Sequence, residues 1–263
     1  MSLGGFERTC VLGVLLHRRL VLCQSLCRVL ALEVGRAVPG VVPCDRADLE
    51  DLLPGAEAVL AHTPKVLTQE QREFYFAHGY LLLEKFICDE WLDKLWAVTD
   101  DFIEQSRVES PSGKLFDVEP SHTPSKPRLR RLINPVETHP IYREFTFEGP
   151  LVDLAEDLVG PHVKFHHSKL NFKWSDGGEE VKWHQDIQFW PHTNYSPLTV
   201  GLYMSDVDDE MGPMGVIPDS HKGELFDLYD ENNQWTGALT DEDSARAGTE
   251  KAVWLKGARG SVT

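Results

Sequence analysis

The stretch "VKFHHSKLNFKWSDGG", Val163 to Gly178, decides how this chain folds. Read with the period of two that a β-strand imposes, Phe165, His167, Lys169, Asn171 and Lys173 fall on one face. His166, Ser168, Leu170, Phe172 and Trp174 fall on the other. One face is mostly polar, and the other becomes apolar towards its end. A strand so divided belongs to a sheet that packs its apolar side on a core and lines a polar cavity with the other. Asp176-Gly177-Gly178 then supplies a hairpin-type turn. It leads into "VKWHQDIQFWP", Val181 to Pro191.

Outward from this strand, further elements are readable. Thr68 followed by Gln71 forms a capping box, and the helix it opens should run to Ala77 with Gly79 as its stop. "YLLLEKF" is a strand candidate. From Asp89, "WLDKLWAVTDDFIEQ" brings Trp91, Leu92, Leu95, Trp96, Phe102 and Ile103 near one helical face. Residues 108–127, with four prolines, several serines and no periodicity, read as loop. "PLVDLAEDLVG" is a short helix ended by Gly160. "PLTVGLYMSDV", "MGVIP", "KAVWL" and "GSVT" are strands. Helices first and many short strands after them point to a mainly β jelly roll with a helical N-terminal layer.

Bulk properties narrow the function. The 263 residues are enough for one large domain with a real core. A formal net charge of −16 argues against nucleic acid, whose phosphates need clustered Lys and Arg. No apolar run approaches the roughly 18–20 residues of a membrane span. The five cysteines lie at 10, 23, 27, 44 and 88, a poor disulfide framework. Cys23 and Cys27 have a zinc-like gap, but no second pair completes it, and reduced thiols of the cytoplasm are the expected state. Residues 1–40 carry five Arg against Glu7 and Glu33, a local balance of +3 in an otherwise acidic chain. Residues 1–63 are therefore set apart as an extension of unknown role, with a mitochondrial transit segment as the alternative.

His184 and Asp186 form the one place where a carboxylate follows a histidine by two residues. With 11 histidines, about one such pair arises by chance, so the spacing alone proves nothing. On a strand or strand end, however, residues two apart project from the same side and can reach one ion. Imidazole with carboxylate suits Fe(II), Mn or Zn. A second histidine from a distant strand would complete a facial triad with three open positions. Gln185, pointing away, would be structural or support the ligands.

These segments carry a resemblance. Residues from about Pro64 to Thr263 resemble the phytanoyl-CoA dioxygenase family of Fe(II)/2-oxoglutarate oxygenases. It rests on "FYFAHGYLLLEKF", "LNFKWSDGGEEVKWHQDIQFWP" and "LTVGLYMSDVDDEMGPMGVIPDSHKGE". The resemblance implies a double-stranded β-helix, a cupin-like jelly roll, and an enzyme that uses Fe(II), 2-oxoglutarate and O2 on a small organic substrate. It implies His184 and Asp186 as iron ligands and Asn171 beside the cosubstrate, with Lys169 on the same face as a weaker candidate. Trp190 resembles an aromatic at the substrate entrance. Two departures are expected. A Trp that flanks 2-oxoglutarate in many members is replaced near Gly201 or Leu202. The distal His, and the Arg some ten residues beyond it, would follow "RGSVT", so the final strands are expected to be missing at Thr263. The alternative to an oxygenase is a catalytically inactive jelly-roll binding module; a cupin-like isomerase or hydrolase on another metal is a third reading. His221 is read as structural, and His166 and His167 as pointing to opposite faces. Arg128, Arg130 and Arg131 either meet an anion or form a solvated edge.

Overall fold

The computed structural model describes residues 8–18, 55–108, 113–174, 180–189 and 196–263. In chain order it contains β1 (Arg8–Arg18), α1 (Ala56–Leu60), α2 (Gln69–His78), α3 (Asp89–Gln105), β2 (Phe116–Val118) and β3 (Leu129–Ile133). There follow α4 (Pro135–Thr138), α5 (Pro140–Phe147), α6 (Pro150–Val159), β4 (Val163–Trp174), β5 (Leu198–Tyr203), β6 (Met214–Val216), α7 (Asp241–Ala247) and β7 (Val253–Leu255). Five strands make one antiparallel sheet in the order β2-β3-β4-β1-β5, and β6 pairs with β7 in a second. Among the described residues the two sheets do not close into a barrel.

The alternation in β4 sets the architecture. Ser168, Leu170 and Phe172 are buried, and in the neighbouring strands so are Leu12, Val14, Leu132, Val200 and Leu202. Against this face pack Leu92, Leu95 and Phe102 of α3, Phe145 of α5, and Leu151, Leu154 and Leu158 of α6, in one continuous apolar core. The heptad-like spacing of α3 buries Leu92, Leu95, Val98, Thr99, Phe102 and Ile103 on a single stripe, as the sequence pattern requires. The opposite face of the sheet is left for chemistry.

Several elements differ from expectation. The stretch set apart as an extension contributes Arg8–Arg18 to the sheet, where β1 lies between β4 and β5 and pairs with both. "YLLLEKF" does not form a strand, because Lys85 turns through a left-handed conformation (φ 51°) and only Leu83 bridges to Val262. The proline-rich loop contains the short β2, paired to β3. "GSVT" hydrogen-bonds along β5, Tyr203 N–H to Ser261 O at 2.9 Å and Gly201 N–H to Thr263 O at 2.8 Å, without extending into a longer ladder. The expected turn at Asp176-Gly177-Gly178 and the Cys23/Cys27 pair lie outside the described residues.

The capping box is present, with the Thr68 side chain accepting from Gln71 N–H and Gly79 ending α2 in the left-handed region (φ 82°). Behind it, a buried ionic knot ties α1 and α2 to α6. The Asp157 carboxylate accepts from the backbone N–H groups of Lys65, Val66 and Leu67 at 2.8–2.9 Å. Arg72, 1% exposed, donates to the carbonyls of Val59, His62 and Asp157. Removing the guanidinium takes a donor from three carbonyls, of which Val59 O keeps the His62 N–H. Arg72→Ala is expected to cost about 3 kcal/mol of stability in a chemical denaturation curve. A loss under about 1 kcal/mol would mean that water replaces the guanidinium.

Candidate metal centre

His184 and Asp186 stand at the edge of the polar face of the sheet, in an irregular segment rather than on a strand. Gln185 between them is extended (φ −118°, ψ 116°), and a single 3-10 turn begins at Asp186. One extended residue is enough to put both side chains on the same side. His184 Nε2 and Asp186 Oδ1 are 3.2 Å apart. Gln185 points away and is structural: its amide donates to Glu224 O, and its Oε1 accepts from Phe226 N–H, both at 2.9 Å.

The remaining polar atoms of the pair are held. The His184 Nδ1–H donates to the Lys182 carbonyl at 2.7 Å. That bond leaves Nε2 as the nitrogen free to coordinate, the usual arrangement for a ligating imidazole. Thr199 on β5 donates its hydroxyl to Asp186 Oδ2 at 2.7 Å, so that Oδ1 faces Nε2. Two donors bound at about 2.1 Å on neighbouring corners of an octahedron stand about 3 Å apart. The observed 3.2 Å fits a divalent ion shared by the two. Without an ion a proton fills the gap. The hydrogen bond to Asp186 raises the His184 pKa against the opposing effect of burial. Burial acts to raise the Asp186 carboxyl, but hydrogen bonds from His184 and Thr199 and the charge of Lys169 outweigh it and lower it to about 2. A bound cation would displace that proton. Among the described residues, no group of three His, Cys, Asp or Glu side chains converges on one point, so the pair provides two ligands of a set.

Asn171 and Lys169 lie on the polar face of β4, as the period predicts. Asn171 Oδ1 accepts from Arg131 Nε at 3.3 Å across the β3–β4 pairing. Burial lowers the pKa of the Lys169 ammonium, Asp186 raises it in return, and Arg131 adds to the lowering. Lys169 thus puts a cation beside His184 and Asp186, with Arg131 next to Lys169 and paired to Asp117 at 3.4 Å, a setting for an anionic cosubstrate. The Lys169 stem lies beside Gly13 on β1, with Lys169 Cγ 3.7 Å from where a Cβ would stand, an ordinary van der Waals contact. At Gly201, one of the two positions where the flanking Trp is expected to be replaced, Thr263 Oγ1 lies 2.7 Å from the Cβ position.

Other sequence candidates separate from this centre. Arg128 is buried with its guanidinium 4.4 Å from the Trp174 ring, not on a solvated edge. His221 Nε2–H donates to Phe76 O at 3.2 Å and lies over Gly79, a structural position. His166 and His167 do not diverge. A bulge opposite Leu15 and Leu16 makes His166 the extra residue, which brings the two Nδ1 atoms to 2.7 Å. Trp190 lies outside the described residues. Thr199 and the Lys182 carbonyl were not visible in the motif. Thr199 is the one exposed residue of β5, and nothing next to the His-x-Asp motif pointed to it. Thr199→Val is expected to weaken divalent metal binding about 10- to 100-fold, measured by Mn(II) titration. Unchanged affinity would remove Thr199 from the support of Asp186.

The two antiparallel sheets, with a His-x-Asp pair at the rim of the polar face, are the setting in which the comparisons with known proteins are read. The family model described as "Phytanoyl-CoA dioxygenase (PhyH)" matches residues 75–263. The chain belongs to the phytanoyl-CoA dioxygenase family, and by family it is a 2-oxoglutarate-dependent dioxygenase of the Fe(II) class. A protein of Stutzerimonas stutzeri named "Probable alpha-ketoglutarate-dependent hypophosphite dioxygenase" is 30% identical over 204 residues, covering 75% of this chain and 69% of its own. The ectoine dioxygenase of Bordetella parapertussis is 26% identical over 160 residues, 59% of this chain and 50% of its own. The solved structure of EctD from S. alaskensis with bound Fe superposes with a TM-score of 0.63 at 20% identity, over 76% of this chain and 68% of that one. That likeness identifies the fold as the cupin-like jelly roll. No helix among the described residues is long and apolar enough to cross a membrane.

Proposed function

We propose that the chain hydroxylates a small organic substrate, with His184 and Asp186 as two of the protein ligands of Fe(II) and Lys169, Arg131 and Asn171 on the 2-oxoglutarate side. The observation that carries this reading is the pinned pair: two donor atoms 3.2 Å apart, each with its partner atom fixed by Lys182 O or Thr199. The names of the hypophosphite and ectoine dioxygenases support the reaction class and leave the substrate open. When bound, iron would supply the coupling of O2 reduction to the oxidation of 2-oxoglutarate to succinate and CO2.

The chain's own residues have definite tasks around that chemistry. His184 presents Nε2 because Nδ1–H is held by a carbonyl. Asp186 stays ionised over the whole working range, its low pKa being a result of the hydrogen bonds it accepts. Lys169 and Arg131 orient a dicarboxylate by charge, and Asn171 keeps Arg131 against the sheet. The test is succinate formation that requires Fe(II), 2-oxoglutarate and O2 together. Turnover in their absence, or none in their presence across amine, amino-acid and acyl substrates, would count against an oxygenase and for the binding-module reading.

A further inference from the structure

His184 is close to a cation and to a set of aromatic rings. The cation is Lys169 on β4, whose charge acts on the imidazole. A series of rings leaves the imidazole: Phe189 at 5.3 Å between centroids, then Trp235 at 5.4 Å, then Tyr229 at 5.2 Å, every contact edge-to-face. Phe189, Tyr229 and Trp235 are 36%, 44% and 45% exposed, so each keeps part of its surface open to solvent.

The hairpin that carries this wall is well fixed. Tyr229 bridges to Trp235 across it. Asp230 Oδ1 accepts from the N–H groups of Asn232 and Gln234 at 2.9 and 2.8 Å. Leu228 anchors it in the interior, and Gly237 (φ +66°) has no Cβ to hold Phe189 away. From Phe226 to Leu239 every charged residue is acidic: Asp227, Asp230 and Glu231. The flanking cations are engaged elsewhere, Lys222 with Asp219 and the Ala77 carbonyl, Arg246 with Glu224 and Asp243. Electron-rich ring faces in an acidic setting attract an organic cation and repel an anion.

We propose that Phe189, Trp235 and Tyr229 are the substrate wall of this site and that it takes an organic cation of the alkylated-ammonium type. The cation sits against the rings while the 2-oxoglutarate dianion is drawn to Lys169. The two ligands are thereby sorted by charge. The catalytic meaning of the wall rests on the dioxygenase reading, but its ligand preference does not.

The experiment is a ligand-observed NMR titration of the full chain without metal, comparing choline with 3,3-dimethylbutan-1-ol, its neutral isostere. Choline is expected to bind roughly tenfold more tightly. Trp235→Leu should bring choline down to the level of the isostere, with the far-UV spectrum and Tm unchanged because the side chain is half exposed. Asp227→Asn with Glu231→Gln should weaken choline several-fold and leave the isostere unaffected. Equal binding of the two probes, or choline binding that survives Trp235→Leu, overturns the proposal. The titration needs no turnover, so the two readings fail separately. A choline preference in a protein that never forms succinate would remove the dioxygenase reading and keep the wall; succinate formation without that preference would do the reverse.

Discussion

Leu12→Asp is expected to leave no cooperatively folded protein. Leu12 is 1% exposed, in the middle of β1, opposite Leu170 on one side and Leu202 on the other. A carboxylate there has apolar neighbours on both strands, and burying it unpaired costs several kcal/mol beyond the lost leucine contacts. Set against a typical total stability of about 5–15 kcal/mol, that is enough to unfold a domain of this kind. The milder Leu12→Ala should cost about 2–5 kcal/mol by the cavity it opens. Circular dichroism and a denaturation curve decide the matter. A Leu12→Asp protein with the native spectrum and midpoint would take Arg8–Arg18 out of the sheet and return it to the extension.

Asp186→Ala is expected to abolish 2-oxoglutarate-dependent succinate formation, by at least about a thousandfold, while leaving the fold intact. The carboxylate stands 3.2 Å from the His184 Nε2, and Thr199 holds it in position. Charge matters as much as shape, since a divalent ion beside Lys169 and Arg131 needs a local anion to offset them. Asp186→Asn retains the size and loses the charge, and should be nearly as inactive. Mn(II) titration separates the causes: both variants should lose metal before they lose stability. Tight Mn(II) binding together with lost turnover would mean that Asp186 acts after metal binding rather than through it. Full turnover in either variant would sink the site.

Much of the site was legible because it obeys local rules. The period-two reading of β4 placed Lys169 and Asn171 on one face, and the structure keeps them there. The capping box at Thr68 and the apolar stripe of α3 depend on neighbours three and four residues away, which the sequence displays directly. What escaped reading depends on distant partners. "CVLGVLLH" is apolar almost throughout, and a run of that kind does not distinguish a central strand from a helix or a targeting segment. Its burial of Cys10, Leu12 and Val14 becomes visible only once β4 and β5 are beside it. "YLLLEKF" failed in the other direction: strand-forming residues without a continuous partner make a single bridge. The shared side of His166 and His167 required a bulge that is defined by β1. Thr199 left no signal near the His-x-Asp motif, since a hydroxyl 13 residues downstream reaches Asp186 only through the fold.

The place of β1 in the sheet also governs the order in which this protein can be made. Leu12 meets Leu202, about 190 residues further along the chain, and among the described strands β1 pairs only with β4 and β5. Of the described strands, the earliest in the chain is therefore among the last to find its partners. Until β4 and β5 have both emerged, an apolar segment with unpaired backbone waits in the open, and closing so long a loop slows the final step. Refolding of the whole chain should accordingly be slow and prone to association. Chaperone dependence at this stage would be a property of topology rather than of weak packing.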